Sequence, residues 1–444
     1  MKRLLVPLVV IGFGSISPFA AAAQDASAAP VRLTLDDAIV RARSTSGRLT
    51  SLAALSHAAA EGTRAANAAR KPDVEVTAAY SRNSNVPELI LSTPGAPPRT
   101  IFPNLPNNWR ARVGASLPLY TGGRIENDIH ASEETERATT ADRAAAERDV
   151  LLETHVAYVN VLLARDTARV LAEAVASYDA HQKDAKNRMD LGLIASHEVL
   201  AVTVERERSE LARTQAENAA RVAEANLARL VGLPLDTTLE LDASTLGDAV
   251  STVTADDLAK RAVAERPELE ALRARVRAME ASAQSARAAT KPQAGLQAGY
   301  DYANPNPKIL PLTGDWNDTW SVGINLSWKF LDGGKSNAAS ARAMAQADSL
   351  RAQLSDLESR IRLEVVTRRL ELDSALAGKV VAARGVDAAR DALRVAQDRY
   401  KEGVLVSSEL LDAETRLLTA QLEITRNEAQ IQVARANLTR AVGR

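Results

Sequence analysis

The side chains able to do chemistry are scattered along this chain. Five histidines, His57, His130, His155, His181 and His197, never take the HExxH spacing that sets two imidazoles on one helical face. With no cysteine there is no Cys/His cluster either, so neither a metal site nor a cofactor is expected. No GxSxG elbow occurs, and acidic and basic residues read as the solvated faces of helices, so an enzyme is not expected. Gly122-Gly123 and Gly333-Gly334 do not complete the GxxxxGK[ST] pattern of a phosphate loop. Their use is access to backbone angles that other residues resist. Thr34 with Asp37, and Thr254 with Asp257, read as capped helix starts.

One kind of side chain is concentrated, and its chemistry is interfacial. Trp109, Trp316, Trp320 and Trp328 gather in two windows with Tyr80, Tyr120, Tyr300, Tyr302, Phe102 and Phe330. Tyrosine and tryptophan favour the boundary between lipid and water.

The elements that must position these aromatics have a period of two. Val74, Val76, Ala78 and Tyr80 alternate with polar residues, as do Trp109, Ala111, Val113, Leu117 and Leu119. Ala294, Leu296, Ala298 and Tyr300 do the same, and so do Trp320, Val322, Ile324, Leu326, Trp328 and Phe330. Strands are expected over about 73–84, 108–120, 293–303 and 318–330, with Tyr80, Trp109, Tyr300, Trp320, Trp328 and Phe330 as a membrane girdle. Strands of roughly ten residues suit a tilted bilayer span. The opposite faces, carrying Arg110, Arg112 and Lys329, would line a solvated lumen. Four strands cannot close a barrel, and an open edge in hydrocarbon leaves backbone groups unpaired, so several subunits must share one.

The chain is one unit written twice. Thr34 recurs as Thr254, Lys71-Pro72 as Lys291-Pro292 and Tyr80 as Tyr300, a shift of 220 positions. Trp109 recurs as Trp320, Gly122-Gly123 as Gly333-Gly334 and Gly192 as Gly403, a shift of 211. The first repeat is placed at 24–234 and the second at 235–444, each reading as helix, two strands and two helices. Proline is missing between Pro118 and Pro234 and after Pro311. The first long leg, from about Arg124 to Asp190, would rise roughly 100 Å at ~1.5 Å per residue. Leu410, Leu417, Ile424, Ile431 and Leu438 recur every seven residues with alanine mostly three positions on, a close-packing coiled-coil seam.

Composition narrows the class further. Lys2 and Arg3 precede an apolar run ending in Ala21-Ala22-Ala23, which reads as a secretory signal peptide over 1–23. A formal net charge of −1 argues against a nucleic-acid partner. The lack of cysteine leaves no thiol for a lipid anchor.

The order of elements resembles the TolC-like outer-membrane efflux protein family over nearly the whole mature chain. The resemblance rests on the repeat, on Pro72 and Pro292 entering strands, and on the strand exits Leu117–Gly123 and Trp328–Gly334. It implies a mainly α chain with a membrane β-barrel, in which a homotrimer shares twelve strands above a periplasmic helical tunnel. It implies outer-membrane lipid, a periplasmic adaptor (membrane fusion) protein and an inner-membrane pump of RND, MFS or ABC type as partners. Tips near 190–196 and 401–407 would meet the adaptor through Gly192, Leu193, Ser196, Gly403, Val404, Leu405 and Ser407, although glycine turning the chain and serine capping the next helix explain the same residues. Glu198, Glu409 and Asp412 lie where the family narrows its tunnel, so they are the candidate gate. A belt around the tunnel is expected from about 235–254 with the first helices. The implied function is passive conduction in efflux; the alternatives are type I protein secretion and, in another class, a coiled-coil surface stalk or adhesin.

Overall fold

The computed structural model describes residues 30–242 and 254–443. The expected leader, and the middle of the expected belt segment, lie outside those residues.

Each repeat opens on a short capped helix. Thr34 accepts from the Asp37 amide at 3.1 Å while Asp37 reaches back to the Thr34 amide, which starts α1 (Leu35–Thr45). In the second repeat Thr254 starts α5 (Ala255–Glu265) in the same way from its side chain. The sequence reading of one opening helix per repeat needs correction, because both helices break. Ser46 and Arg266 are extended, and α2 (Gly47–Ala68) and α6 (Pro267–Ala288) begin afresh. At Arg266 the cause is Pro267, whose ring pushes the preceding residue out of helical angles. At Ser46 the serine side chain accepts from the Leu49 amide and caps the new helix.

The long legs are α3 (Arg124–Asp190) and α7 (Lys335–Lys401), each of 67 residues. The return helices are α4 (Ser196–Leu230) and α8 (Ser407–Val442). The shorter helices follow each other along a long one. Arg48 of α2 pairs with Asp149, and Arg206 of α4 with Asp179, so α4 and then α2 run antiparallel along α3. The heptad seam of α8 is buried at Leu410, Ala413, Ile431, Ala434, Leu438 and Ala441. Alanine at these positions lets helix axes approach closely.

Midway along the tunnel, β1 (Val31–Leu33) pairs in parallel with β6 (Leu239–Leu241). Neither strand was expected from sequence, since three residues carry too little periodicity to register. Tyr158, fully buried, holds them: its hydroxyl lies 2.9 Å from the Leu33 carbonyl and accepts from the Asp242 amide at 2.9 Å.

The main sheet has the order β2 (Asp73–Arg82), β5 (Asn107–Tyr120), β7 (Gln293–Asn304) and β8 (Asn317–Ser327), all antiparallel. A small hairpin, β3 (Leu89–Leu91) with β4 (Arg99–Phe102), fills the connection after β2. The fourth strand ends at Ser327, short of the expected 330, so Trp328 and Phe330 lie beyond it. The reason is pairing: Gln293, the first residue of β7, is opposite Ser327, and Pro292 before it has no amide to donate.

Candidate channel wall and tunnel tip

The register brings like faces together across all four strands. Tyr80 stands opposite Trp109, Val113 opposite Tyr300, and Tyr300 opposite Trp320. Tyr80 and Trp109 also touch through their rings, with centroids 4.3 Å apart. Val74, Val76, Val322, Ile324 and Leu326 share this face and are exposed. An apolar face of this size, exposed in the single chain, needs an apolar medium, and the aromatics mark its edge. Trp328 adds a tie beyond the strand, its indole donating to the Thr290 carbonyl at 3.0 Å. Phe330 packs edge-on against Trp328. Among the described residues, no helix is long and apolar enough to cross a membrane.

The opposite face is polar. Arg110 and Arg112, expected as separately solvated side chains, instead converge on Asp301, which is 2 % exposed. Arg110 approaches Asp301 at 2.8 Å, and Lys308 from the β7–β8 connection donates at 3.1 Å. Three cations around one sealed carboxylate fold that connection over the polar wall. The sequence signal was one aspartate in an otherwise neutral strand face.

Both strand exits turn through paired left-handed glycines. Gly122 and Gly123 have φ of 68° and 90°, and Gly333 and Gly334 have 67° and 86°. In the first exit the space is also filled: a Cβ on Gly122 would lie 2.6 Å from the Lys291 Cβ. Around Gly333 nothing lies within 4 Å.

At the far end both hairpins turn through glycine. The Gly192 amide donates to the Met189 carbonyl and the Leu193 amide to the Arg188 carbonyl, both at 2.8 Å. Gly403 and Val404 make the same pair of bonds to Tyr400 and Arg399. This is the glycine C-terminal cap of a helix. Gly192, Leu193, Ser196, Gly403 and Val404 are exposed, and Leu405 is half-buried. Ser407 corrects the sequence expectation: it is 1 % exposed, its hydroxyl 3.0 Å from His181 Nε2, so it presents nothing outward. Nor do the serines cap through their side chains; Ala195 and Val406 occupy the N-cap positions.

The candidate gate residues separate into two groups. Glu198 accepts from the Ser407 amide at 3.2 Å and so ties one hairpin to the other. Glu409 and Asp412 are exposed on an open groove of about 620 Å³ that also holds Arg394, Arg399, Leu405 and Arg416.

Sequence reasoning missed the polar cluster behind these residues. His181 Nδ1 lies 2.8 Å from Glu414 Oε2, and Ser177 donates to Glu414 Oε1 at 2.9 Å. The Tyr400 ring meets His181 edge-on, and the Arg188 guanidinium stacks 4.2 Å above that ring. His181 and Glu414 are 233 positions apart, and neither falls in a motif, so only the fold unites them. Among the described residues, no group of three His, Asp or Glu could hold a metal ion.

A lipid-facing sheet carried on long helical hairpins defines an outer-membrane channel subunit. The chain belongs to the outer membrane efflux protein family, whose sequence profile matches residues 38–233 and 258–444. It is 24% identical over 327 residues to the outer membrane efflux protein BepC of Brucella suis, covering 73% of this chain and 70% of BepC. It is 22% identical to the outer membrane protein TolC of Vibrio cholerae, over all of this chain and 96% of that one. Its fold matches the crystal structure of VceC from Vibrio cholerae with a TM-score of 0.76, at 19% identity, over 92% of this chain and 96% of VceC. The protein is therefore an outer-membrane exit duct whose helices extend into the periplasm.

Proposed function

We propose that three copies of this chain close one twelve-stranded barrel above a continuous helical tunnel, forming the passive outer-membrane stage of a tripartite efflux system. The sheet carries this reading. Its outward face is apolar from β2 to β8, yet both outer strands have a free edge. A free edge in hydrocarbon costs several kcal/mol for each unpaired backbone group, and pairing with another copy removes that cost. The polar face then lines the lumen, and substrates pass without covalent chemistry.

The tip is the docking end. Leu191, Leu193, Val404 and Val406 are exposed there beside Gly192 and Gly403, a small apolar surface suited to a periplasmic adaptor that connects the duct to an inner-membrane pump. Glu409 and Asp412, repeated by threefold symmetry, form an acidic constriction just inside. Planar-bilayer recording of the purified protein tests the duct. Small conductance steps from a detergent-stable trimer are expected; a monomer that inserts no channel overturns the reading.

A further inference from the structure

The internal duplication specifies more than the existence of a shared barrel; it specifies how neighbouring copies pair. The two repeats agree to the residue within their own strand pairs. Moving Tyr80–Trp109 by the repeat offsets gives Tyr300–Trp320, and both are observed pairs. Moving Asp73–Ser116 gives Gln293–Ser327, also observed. The structure contains one junction between repeats, β5 with β7, in which Val113 faces Tyr300, Ala115 faces Ala298 and Leu117 faces Leu296.

We infer that β8 of one copy pairs with β2 of the next in the register of that junction, so that Ile324 stands opposite Tyr80, Leu326 opposite Ala78 and Trp328 opposite Val76. This rests on the shared-barrel reading and fixes its geometry. Three independent observations fit it.

First, the faces match. A register shifted by one residue would turn apolar side chains of one strand into the lumen. The register carried over from the observed junction sets Ile324, Leu326 and Trp328 against Tyr80, Ala78 and Val76, all on the lipid side. Second, it accounts for Trp328 and Phe330. Their alternation continues beyond Ser327, where β7 has no residue left to pair, and β2 of a second copy supplies Val76 and Val74 at that level.

Third, the helices below show the same vacancy. α6 buries 11 of its 22 residues, among them Leu269, Ala274, Ala278 and Ala281, because α3 and α7 flank it. α2 has the same length and a similar alanine content, yet Leu49 is its one buried residue. Its missing neighbour corresponds to α7 of another copy. The strand exits agree: Lys291 fills the space beside Gly122, and the space beside Gly333 is open to Lys71, the repeat counterpart of Lys291.

The chain has no cysteine, so a pair of cysteines can be introduced without background. Tyr80→Cys with Ile324→Cys is oxidised in isolated outer membranes and run on denaturing gels. Val113→Cys with Tyr300→Cys serves as the internal control for the same geometry within one copy. Covalent dimers and trimers from the first pair are expected, with little product when Tyr80→Cys is combined with Trp320→Cys or Trp328→Cys. Product from either shifted pair instead overturns the register while leaving the shared barrel intact. If the control closes and no intermolecular pair does, the shared barrel itself fails.

Discussion

His181 of α3 and Glu414 of α8 meet 2.8 Å apart with side chains 2% and 5% exposed, joining the hairpin of one repeat to that of the other. Applying the repeat offsets places Ala392 and Thr203 at the corresponding positions, so the bond is not repeated between copies. Of the six junctions around a trimer's tip, three are tied by this pair and three are not. Opening is thus expected to begin between copies.

His181→Leu removes one partner and leaves the Glu414 carboxylate buried with Ser177 alone. Breaking a buried pair in this way costs about 3–5 kcal/mol, whereas replacing both partners with apolar residues is often neutral. Hydrogen exchange read around 177–185 and 405–415 is expected to lose protection in His181→Leu and to regain most of it when Glu414→Leu is added. A double variant as exposed as the single would show that the pair is incidental.

Tyr158→Phe tests the belt. The substitution keeps the ring in its buried site but deletes the hydroxyl that meets the Leu33 carbonyl and the Asp242 amide. Leaving buried backbone groups without that partner costs about 1–3 kcal/mol. Proteolysis near residues 30–34 and 239–242 is expected to quicken, with the barrel end unaffected. Unchanged cleavage there would mean that the β1–β6 pair holds by packing alone.

The sequence was informative wherever one local pattern decided the structure. Alternation located the four main strands because one face of each meets lipid, and the proline-free stretches bounded α3 and α7. Three features escaped it, each for a physical reason. The break at Ser46 depends on one capping side chain within an alanine-rich run that is helical on both sides. The end of β8 at Ser327 is set by the length of β7, which the strand's own residues do not encode. The pairing of His181 with Glu414, and of Arg110 with Asp301, arises between segments remote in sequence. Those two clusters are where the wall and the tip acquire their electrostatics.

The two glycine turns should differ in what their loss damages. Any residue but glycine at such φ values costs about 1–2 kcal/mol. Gly122→Ala adds a clash with the Lys291 Cβ inside the subunit, and overpacking of this kind costs about 1–3 kcal/mol more. Gly333→Ala has open space in the single chain, so its clash arises once Lys71 of the next copy is in place. Lowered heat stability of the trimer band is expected for Gly333→Ala, with the tryptic pattern of the subunit preserved; Gly122→Ala should change both. Identical behaviour of Gly333→Ala and wild type would place the neighbouring copy elsewhere.

Asp412 offers the most direct test of the proposed constriction. It stands exposed near Glu409 on a groove that also contains Arg394, Arg399 and Arg416, so its carboxylate works against a basic surrounding. Three such carboxylates around an axis attract cations and, through arginines of adjoining helices, draw the tips inward. Asp412→Ala removes all three at once, and the first repeat has Ala201 at the matching position, so no second ring replaces them. Single-channel conductance is expected to rise severalfold, and block by millimolar magnesium applied from the tip side to weaken. Glu198→Gln is the contrasting variant, because its carboxylate is already engaged with the Ser407 amide and an amide oxygen can accept the same bond. Equal conductance in Asp412→Ala and wild type would remove the acidic constriction from the tip, leaving the helices themselves as the closure.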